Sequence, residues 1–163
     1  MDSALAILDR ALRWVLVLLL GAMVLAVTWQ VVSRYVLAAP SSWTEEVARY
    51  LLIWIGMLGA AYAFRTRMHI GLDLVPKALT GAAARRLHWF TLGIVIVFAV
   101  TVLVIGGGSL VLLTWELRQT SAALELPIAF VYSVIPLTGI VIVLYAMAAF
   151  TAEAGPDVAG EAD

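Results

Sequence analysis

The fold is decided by the run LRWVLVLLLGAMVLAVTWQVVSRYVL, from Leu12 to Leu37. Its central part, from Trp14 to Trp29, contains no charged residue. An α-helix rises about 1.5 Å per residue, so about 20 apolar residues cross the hydrocarbon core of a bilayer. Three more apolar runs follow. The sequence therefore predicts four transmembrane helices, at about 12–37, 43–64, 87–115 and 127–150.

The composition of the whole chain agrees with a lipid environment. Hydrophobic residues make up 64% of the 163 residues and charged residues 13%, with a mean hydropathy of +1.04. Soluble domains are about 45–50% apolar and about 25% charged. We therefore predict an all-α integral membrane protein, a single four-helix domain over residues 1–163. The net charge of −1 argues against a nucleic-acid partner, and the lack of cysteine excludes disulfides and thiolate metal sites.

The first run has a second interpretation, a cleaved signal peptide ending at Ala38-Ala39. However, its apolar stretch exceeds the ~7–15 residues usual for the core of a signal peptide, and Arg34 precedes the cleavage position. We therefore expect a retained helix.

The placement of lysine and arginine predicts the orientation. Seven of the ten basic residues fall on the side of the two termini and the central loop: Arg10, Arg13, Arg65, Arg67, Lys77, Arg85 and Arg86. Positive charge favours the cytoplasm, so we expect both termini and this loop to be cytoplasmic. Within the loop, apolar residues alternate with charged ones, which is compatible with a short helix on the membrane surface or with an ordinary loop. We expect the acidic tail, residues 151–163, to be disordered.

Most of the candidate functional residues lie between the first two helices. Ser42 or Thr44 can cap helix two, which places Glu45 and Glu46 in its first turn, near the positive end of the helix dipole. Glu45 and Arg49 have the spacing of an ion pair within one helix. We expect Trp43 at the membrane interface beside these charges. This group of residues indicates either a capped helix end or a contact with a partner. A separate hypothesis pairs Arg34, at the end of helix one, with Glu45 or Glu46.

His69 and Asp73 follow helix two at a spacing of four residues. This pair could bind a proton, a metal or a partner's backbone, and it is also compatible with a polar helix end. Because two ligands do not make a metal site, we predict no metal.

Glycine and proline mark two positions in the later helices. Gly106-Gly107-Gly108 in helix three favours close helix packing over a broken helix at a transport site. Pro136 removes the hydrogen bond to the Tyr132 carbonyl, so we expect a kink in helix four. Pro127 is expected in the first turn of that helix.

Several kinds of chemistry have no residues to support them. None of the four predicted helices has a charge at its middle, where an ion-coupled carrier usually keeps one. The sequence also lacks a pair of histidines placed within the membrane for haem, a P-loop and a serine–histidine arrangement. We predict no catalytic residue, no substrate-binding residue and no cofactor. Four helices with apolar middles indicate a scaffold for a larger assembly.

The chain resembles the small membrane subunit of tripartite ATP-independent periplasmic (TRAP) transporters, the DctQ-like family. The resemblance is carried by an ordered set of short elements: Arg34-Tyr35, Ser42-Trp43-Thr44-Glu45-Glu46, Arg49-Tyr50, Trp54, Gly59, Arg67, His69-Ile70, Asp73-Leu74, Leu126-Pro127, Tyr132 and Pro136-Leu137-Thr138-Gly139. The resemblance does not extend to the long glycine-rich third helix or to the acidic tail, and these departures are minor.

The resemblance implies a subunit that supports a large multi-helix membrane partner and helps a periplasmic substrate-binding protein to dock. It implies uptake of an organic acid, typically coupled to sodium, across the bacterial inner membrane. It places five residues at the periplasmic edge: Arg34, Trp43, Glu45, Glu46 and Arg49. His69 and Asp73 fall at the cytoplasmic edge. Two alternatives are a membrane-anchor subunit of a respiratory enzyme complex and a self-sufficient small carrier or channel.

Overall fold

The computed structural model describes residues 2–39, 41–66 and 82–153. Within these ranges the elements are helices, and four of them are long and apolar enough to cross a membrane. This confirms the all-α membrane fold. The proposed surface helix up to residue 81, His69, Asp73 and the tail from residue 154 onward lie outside these ranges. Residues 82–86 and 151–153, expected in the central loop and in the disordered tail, instead extend two of the helices.

Four helical elements make up the described part of the fold. Helix α1 is Asp2–Tyr35 and α2 is Ser42–Arg65. Helix α3 has three consecutive parts, α-helical Ala82–Phe98, π-helical Ala99–Gly106 and α-helical Gly107–Glu116. Helix α4 consists of Ile128–Tyr132 and Val134–Glu153.

Helix α1 begins ten residues before the apolar run that predicts it. Leu5, Leu8, Leu12, Leu16 and Leu19 recur at intervals of three and four and belong to one packed apolar cluster. The apolar run excludes Leu5 and Leu8 because the charged residues Asp9 and Arg10 come between them and Leu12. An amphipathic stripe therefore extends the helix beyond its fully apolar part.

The helices form an open row in the order α1, α2, α4, α3, and not a closed bundle. Helix α2 packs between α1 and α4, and α4 packs between α2 and α3. The central cluster has buried members from three helices: Leu12, Leu58, Ala61, Val134, Val141 and Tyr145. Within the described residues α1 and α3 share no extended contact, so both outer helices present apolar side chains to their surroundings.

Glycines allow α3 and α4 to approach closely. A Cβ atom added at Gly107 would lie 2.7 Å from Ile135 Cγ2, and one added at Gly139 would lie 2.8 Å from Leu103 Cβ. The close-packing interpretation is thus confirmed at Gly107. Gly139 meets α3 inside its π-helical part, whose backbone closes i to i+5 hydrogen bonds such as the one from Gly107 N–H to the Val102 carbonyl.

Helix α4 is interrupted at Ser133, three residues before Pro136. Proline cannot donate to the carbonyl four residues earlier, which is that of Tyr132, and the helix breaks directly after this residue. The interruption is one of hydrogen bonding, because Ser133 keeps helical dihedral angles (φ −59°, ψ −21°), and the kink stays a prediction. Pro127 lies at the N-cap, one residue before the position predicted for it, with an extended backbone at ψ 123°.

Candidate functional site

Polar side chains gather at the two ends of the helical row. The first, the loop end, carries the residues that follow α1, described at 36–39 and 41, and the connection 117–127. The second, the terminal end, carries the start of α1, the end of α2 and the later part of α4. The described charged side chains of the helices lie toward these ends, and the stretches 14–33, 50–64, 87–115 and 128–150 carry none.

Glu46 connects α2 to the loop between α3 and α4. Its Oε2 accepts hydrogen bonds from the backbone N–H groups of Ala123 (3.0 Å) and Leu124 (2.9 Å). Its Oε1 accepts from the N–H of Ala122 (3.1 Å) and from the Tyr50 hydroxyl (2.9 Å). One carboxylate thus binds three consecutive amides 76 to 78 residues away, an arrangement that suits a negative charge.

The 117–127 loop is also tied to itself. Ser121 N–H donates to the Leu126 carbonyl, and Ile128 N–H donates to the Gln119 carbonyl, both at 2.9 Å. Arg118 and Glu125 adopt left-handed backbone conformations, with φ of 47° and 55°. Arg118 follows the C-cap of α3, where its N–H donates to the Trp115 carbonyl and the Gln119 N–H donates to the Thr114 carbonyl, so its left-handed conformation is the common ending of a helix. Glu125 lies inside the loop, where the surrounding hydrogen bonds hold it in this conformation.

The other predicted residues at the loop end are arranged differently. Glu45 forms the expected ion pair with Arg49, at 3.1 Å, with both side chains 64% exposed. Arg34 forms no ion pair with a described acidic residue, so the proposed Arg34–Glu45 or Arg34–Glu46 pair is not formed. Arg34 and Glu45 instead line one small cavity together with Gln30, Ser41 and Ser42. Trp43 is half-exposed.

The start of α2 differs from the expectation by one residue. The N-cap is Ser41 and not Ser42 or Thr44, and its side chain makes no capping hydrogen bond. The Thr44 hydroxyl is buried and donates to the Ser41 carbonyl at 2.9 Å. Glu45 lies in the first turn, whereas Glu46 is one residue farther on and faces the loop.

Replacing Glu45 with glutamine is expected to change stability little. Exposed ion pairs four residues apart in a helix contribute only about 0.3–0.5 kcal/mol. Thermal unfolding of the variant in mild detergent should therefore match that of the unmodified protein to within a degree or two. A large loss of stability would mean that Glu45 has a partner beyond Arg49.

The terminal end holds a polar cluster that is absent from the predicted site residues. Tyr145, 2% exposed, donates its hydroxyl proton to Asp9 Oδ1 at 2.6 Å. The other Asp9 oxygen lies 3.4 Å from Arg65 Nε, and the Arg65 guanidinium lies 5.7 Å from the centre of the Tyr145 ring. A single carboxylate thus connects α1, α2 and α4. His69 and Asp73, predicted for this end, are not among the described residues.

Part of this cluster had a signal in the sequence. Asp9 and Arg65 are equally distant from Leu37, and two antiparallel helices joined near that residue bring such positions together. Tyr145 had no corresponding signal, since its contact with Asp9 joins residues 136 positions apart.

Comparison with known proteins assigns the family. A family model described as tripartite ATP-independent periplasmic transporters, DctQ component, matches residues 23–154. The chain is 33% identical over 95 residues to the C4-dicarboxylate TRAP transporter small permease protein DctQ of Rhodobacter capsulatus, covering 58% of this chain and 41% of that relative. It is 30% identical over 108 residues to the sialic acid TRAP transporter small permease protein SiaQ of Vibrio cholerae serotype O1, covering 66% of this chain and 58% of that relative.

A third relative is much longer than this chain. The isethionate TRAP transporter permease protein DctMQ of Oleidesulfovibrio alaskensis is 32% identical over 126 residues, which are 72% of this chain and 19% of that relative. The chain thus spans between 19% and 58% of the length of these relatives. The family model matches most of this chain, and four of its helices are able to span a membrane. The chain therefore belongs to the DctQ family of TRAP transporter components and is a multi-pass protein of the bacterial inner membrane.

Proposed function

We propose that this chain supports the large, ion-coupled membrane subunit of a TRAP transporter and helps a periplasmic substrate-binding protein to dock. In this role the loop end faces the periplasm and the terminal end faces the cytoplasm, in keeping with the predicted orientation. The transporter would take up an organic acid, with sodium as the expected coupling ion. The chain itself would need no catalytic chemistry.

The open row of helices is the observation that carries this proposal. The described middles of the helices lack ionisable side chains, which a coupled carrier usually keeps inside the membrane. The row leaves both outer helices with apolar faces that a larger membrane protein can cover. A row of helices of this kind can hold a partner in place, but it lacks the ionisable groups needed to move ions by itself.

The relatives support the partner and the substrate class. In the isethionate permease protein the matched region is only 19% of the chain, so there a DctQ-like region belongs to a much longer polypeptide. The relatives are named for C4-dicarboxylate, isethionate and sialic acid, all of which are organic acids. The family and these relatives give no support to the alternative of a respiratory enzyme anchor.

Purification of the tagged chain from its native host tests the proposal. We expect a large polytopic membrane protein to co-purify in constant ratio, and we expect liposomes to show ion-driven uptake only when both proteins are present. Uptake by this chain alone would contradict the supporting role. A haem absorption band in the purified material would instead favour the respiratory anchor.

A further inference from the structure

We infer that the 117–127 loop is the part of this chain on which the substrate-binding protein docks, and that Glu46 is the positioning residue that fixes the loop's shape. The inference rests on the proposed function, because it assumes that such a protein docks at the loop end. It assigns Glu46 a role inside the molecule, whereas the sequence suggested a helix cap or a direct partner contact.

The first argument is that Glu46 holds the loop through its backbone. Glu46 accepts hydrogen bonds from the amides of Ala122, Ala123 and Leu124, and none of these bonds involves a loop side chain. Water could have satisfied amides in an exposed turn. Because the Glu46 carboxylate belongs to α2, it also fixes the position of the loop relative to that helix, which water could not do.

The second argument is that the loop keeps an unfavourable conformation. Glu125, which directly follows the three amides that Glu46 holds, is left-handed at φ 55°, a conformation that residues other than glycine rarely adopt. Strain of this kind persists only where surrounding contacts maintain it, and it is frequent at binding sites. A loop already fixed in its bound shape loses less conformational entropy when a partner binds, which raises its affinity.

The third argument comes from the side chains that the loop presents. Leu117 and Leu126 are exposed by 59% and 50%, and the side chains of Arg118 and Glu125 are exposed beside them. Apolar residues next to charges of both signs suit a folded, soluble protein with complementary charges. A lipid surface is less suitable, because the charges of Arg118 and Glu125 cancel and the loop lacks the cluster of basic residues that binds anionic headgroups.

The loop also lies on the water side of the membrane boundary. Trp115 and Phe130, the aromatic residues flanking it on α3 and α4, are both exposed and stack edge to face at 6.1 Å. Aromatic side chains at helix ends are typical of the membrane–water interface. The segment between them is therefore accessible to a soluble protein.

The test measures docking on the assembled complex of this chain with its large membrane partner. The probe is the host's own substrate-binding protein of the same transporter, labelled with a fluorophore. Glu46→Gln removes the negative charge but keeps the size of the side chain. The new N–H₂ group would face backbone N–H donors, to which it cannot hydrogen bond. We expect this variant to assemble normally, to show faster hydrogen exchange at residues 122–124, and to bind the probe about tenfold more weakly.

Glu116→Gln provides the matched control, because Glu116 is exposed at the same end and contacts none of the three amides. It should leave hydrogen exchange in the loop unchanged. If Glu46→Gln frees the amides yet binds the probe as tightly as the unmodified complex does, the positioning role is wrong.

If Glu46→Gln fails to assemble with the membrane partner, two surface variants still test whether the loop is the docking site. Arg118→Ala and Glu125→Ala change docking side chains without touching Glu46, and each should weaken binding several-fold while assembly stays normal. Unchanged binding in both would overturn the loop assignment while leaving the proposed function intact. If the unmodified complex assembles but does not bind the probe, both the docking role and this inference are wrong.

Discussion

Replacing Gly139 with alanine is expected to destabilise the protein, although the same change usually stabilises a helix. The new Cβ would lie 2.8 Å from Leu103 Cβ, 2.9 Å from Val104 Cγ2 and 3.1 Å from the Val104 backbone nitrogen. Because one of these atoms is backbone, a change of side-chain rotamer cannot relieve the contact, and α3 and α4 must move apart. Overpacking of this kind costs about 1–3 kcal/mol, more than the ~0.5–1 kcal/mol gained by replacing glycine inside a helix.

Gly108→Ala is the matched control for this prediction. Gly108 lies in α3 near the same contact, but a Cβ there would meet nothing within 4 Å. We expect this variant to be as stable as the unmodified protein or slightly more stable. The free energy of unfolding in mild detergent, measured for both variants, decides the point. Equal stability of the two would mean that the helices have room to separate without loss of packing.

Features that depend on neighbouring residues could be predicted from the sequence. Apolar runs of about 20 residues define the four helices because bilayer thickness fixes their length. The Glu45–Arg49 ion pair follows from helical spacing alone. Pro136 predicts the break in α4 for a similarly local reason, the missing backbone donor.

Features that depend on distant parts of the chain could not be predicted. The sequence places Glu46 beside Glu45 with no sign that the two differ. Only the packing of α2 against the 117–127 loop gives Glu46 its three amide partners, and backbone amides leave no signature in a sequence. The same reason explains the failed Arg34 hypothesis, since Glu45 already has a partner within its own helix and Glu46 has one across the molecule.

Replacing Asp9 with alanine is expected to destabilise the terminal end more than any other removal of a charge. The Asp9 carboxylate binds both the Tyr145 hydroxyl at 2.6 Å and Arg65 at 3.4 Å. Its loss leaves a hydroxyl without its acceptor in a side chain that is only 2% exposed, and it removes the counter-ion of Arg65. A buried polar group left unsatisfied costs about 1–3 kcal/mol, so we expect a loss of roughly 2–3 kcal/mol in all.

Two further variants separate the contributions of these contacts. Asp9→Asn keeps an acceptor for Tyr145 but loses the charge, so its loss of stability should be smaller than that of Asp9→Ala. Tyr145→Phe removes the hydroxyl itself. In the Asp9→Ala background it should therefore lower the free energy of unfolding less than it does in the unmodified protein, with a coupling energy of about 1 kcal/mol. Strict additivity of the two changes would show that the Asp9–Tyr145 hydrogen bond does not hold α1 against α4. The destabilisation by Asp9→Ala would then have to come from Arg65 alone, at the partly exposed end of α2.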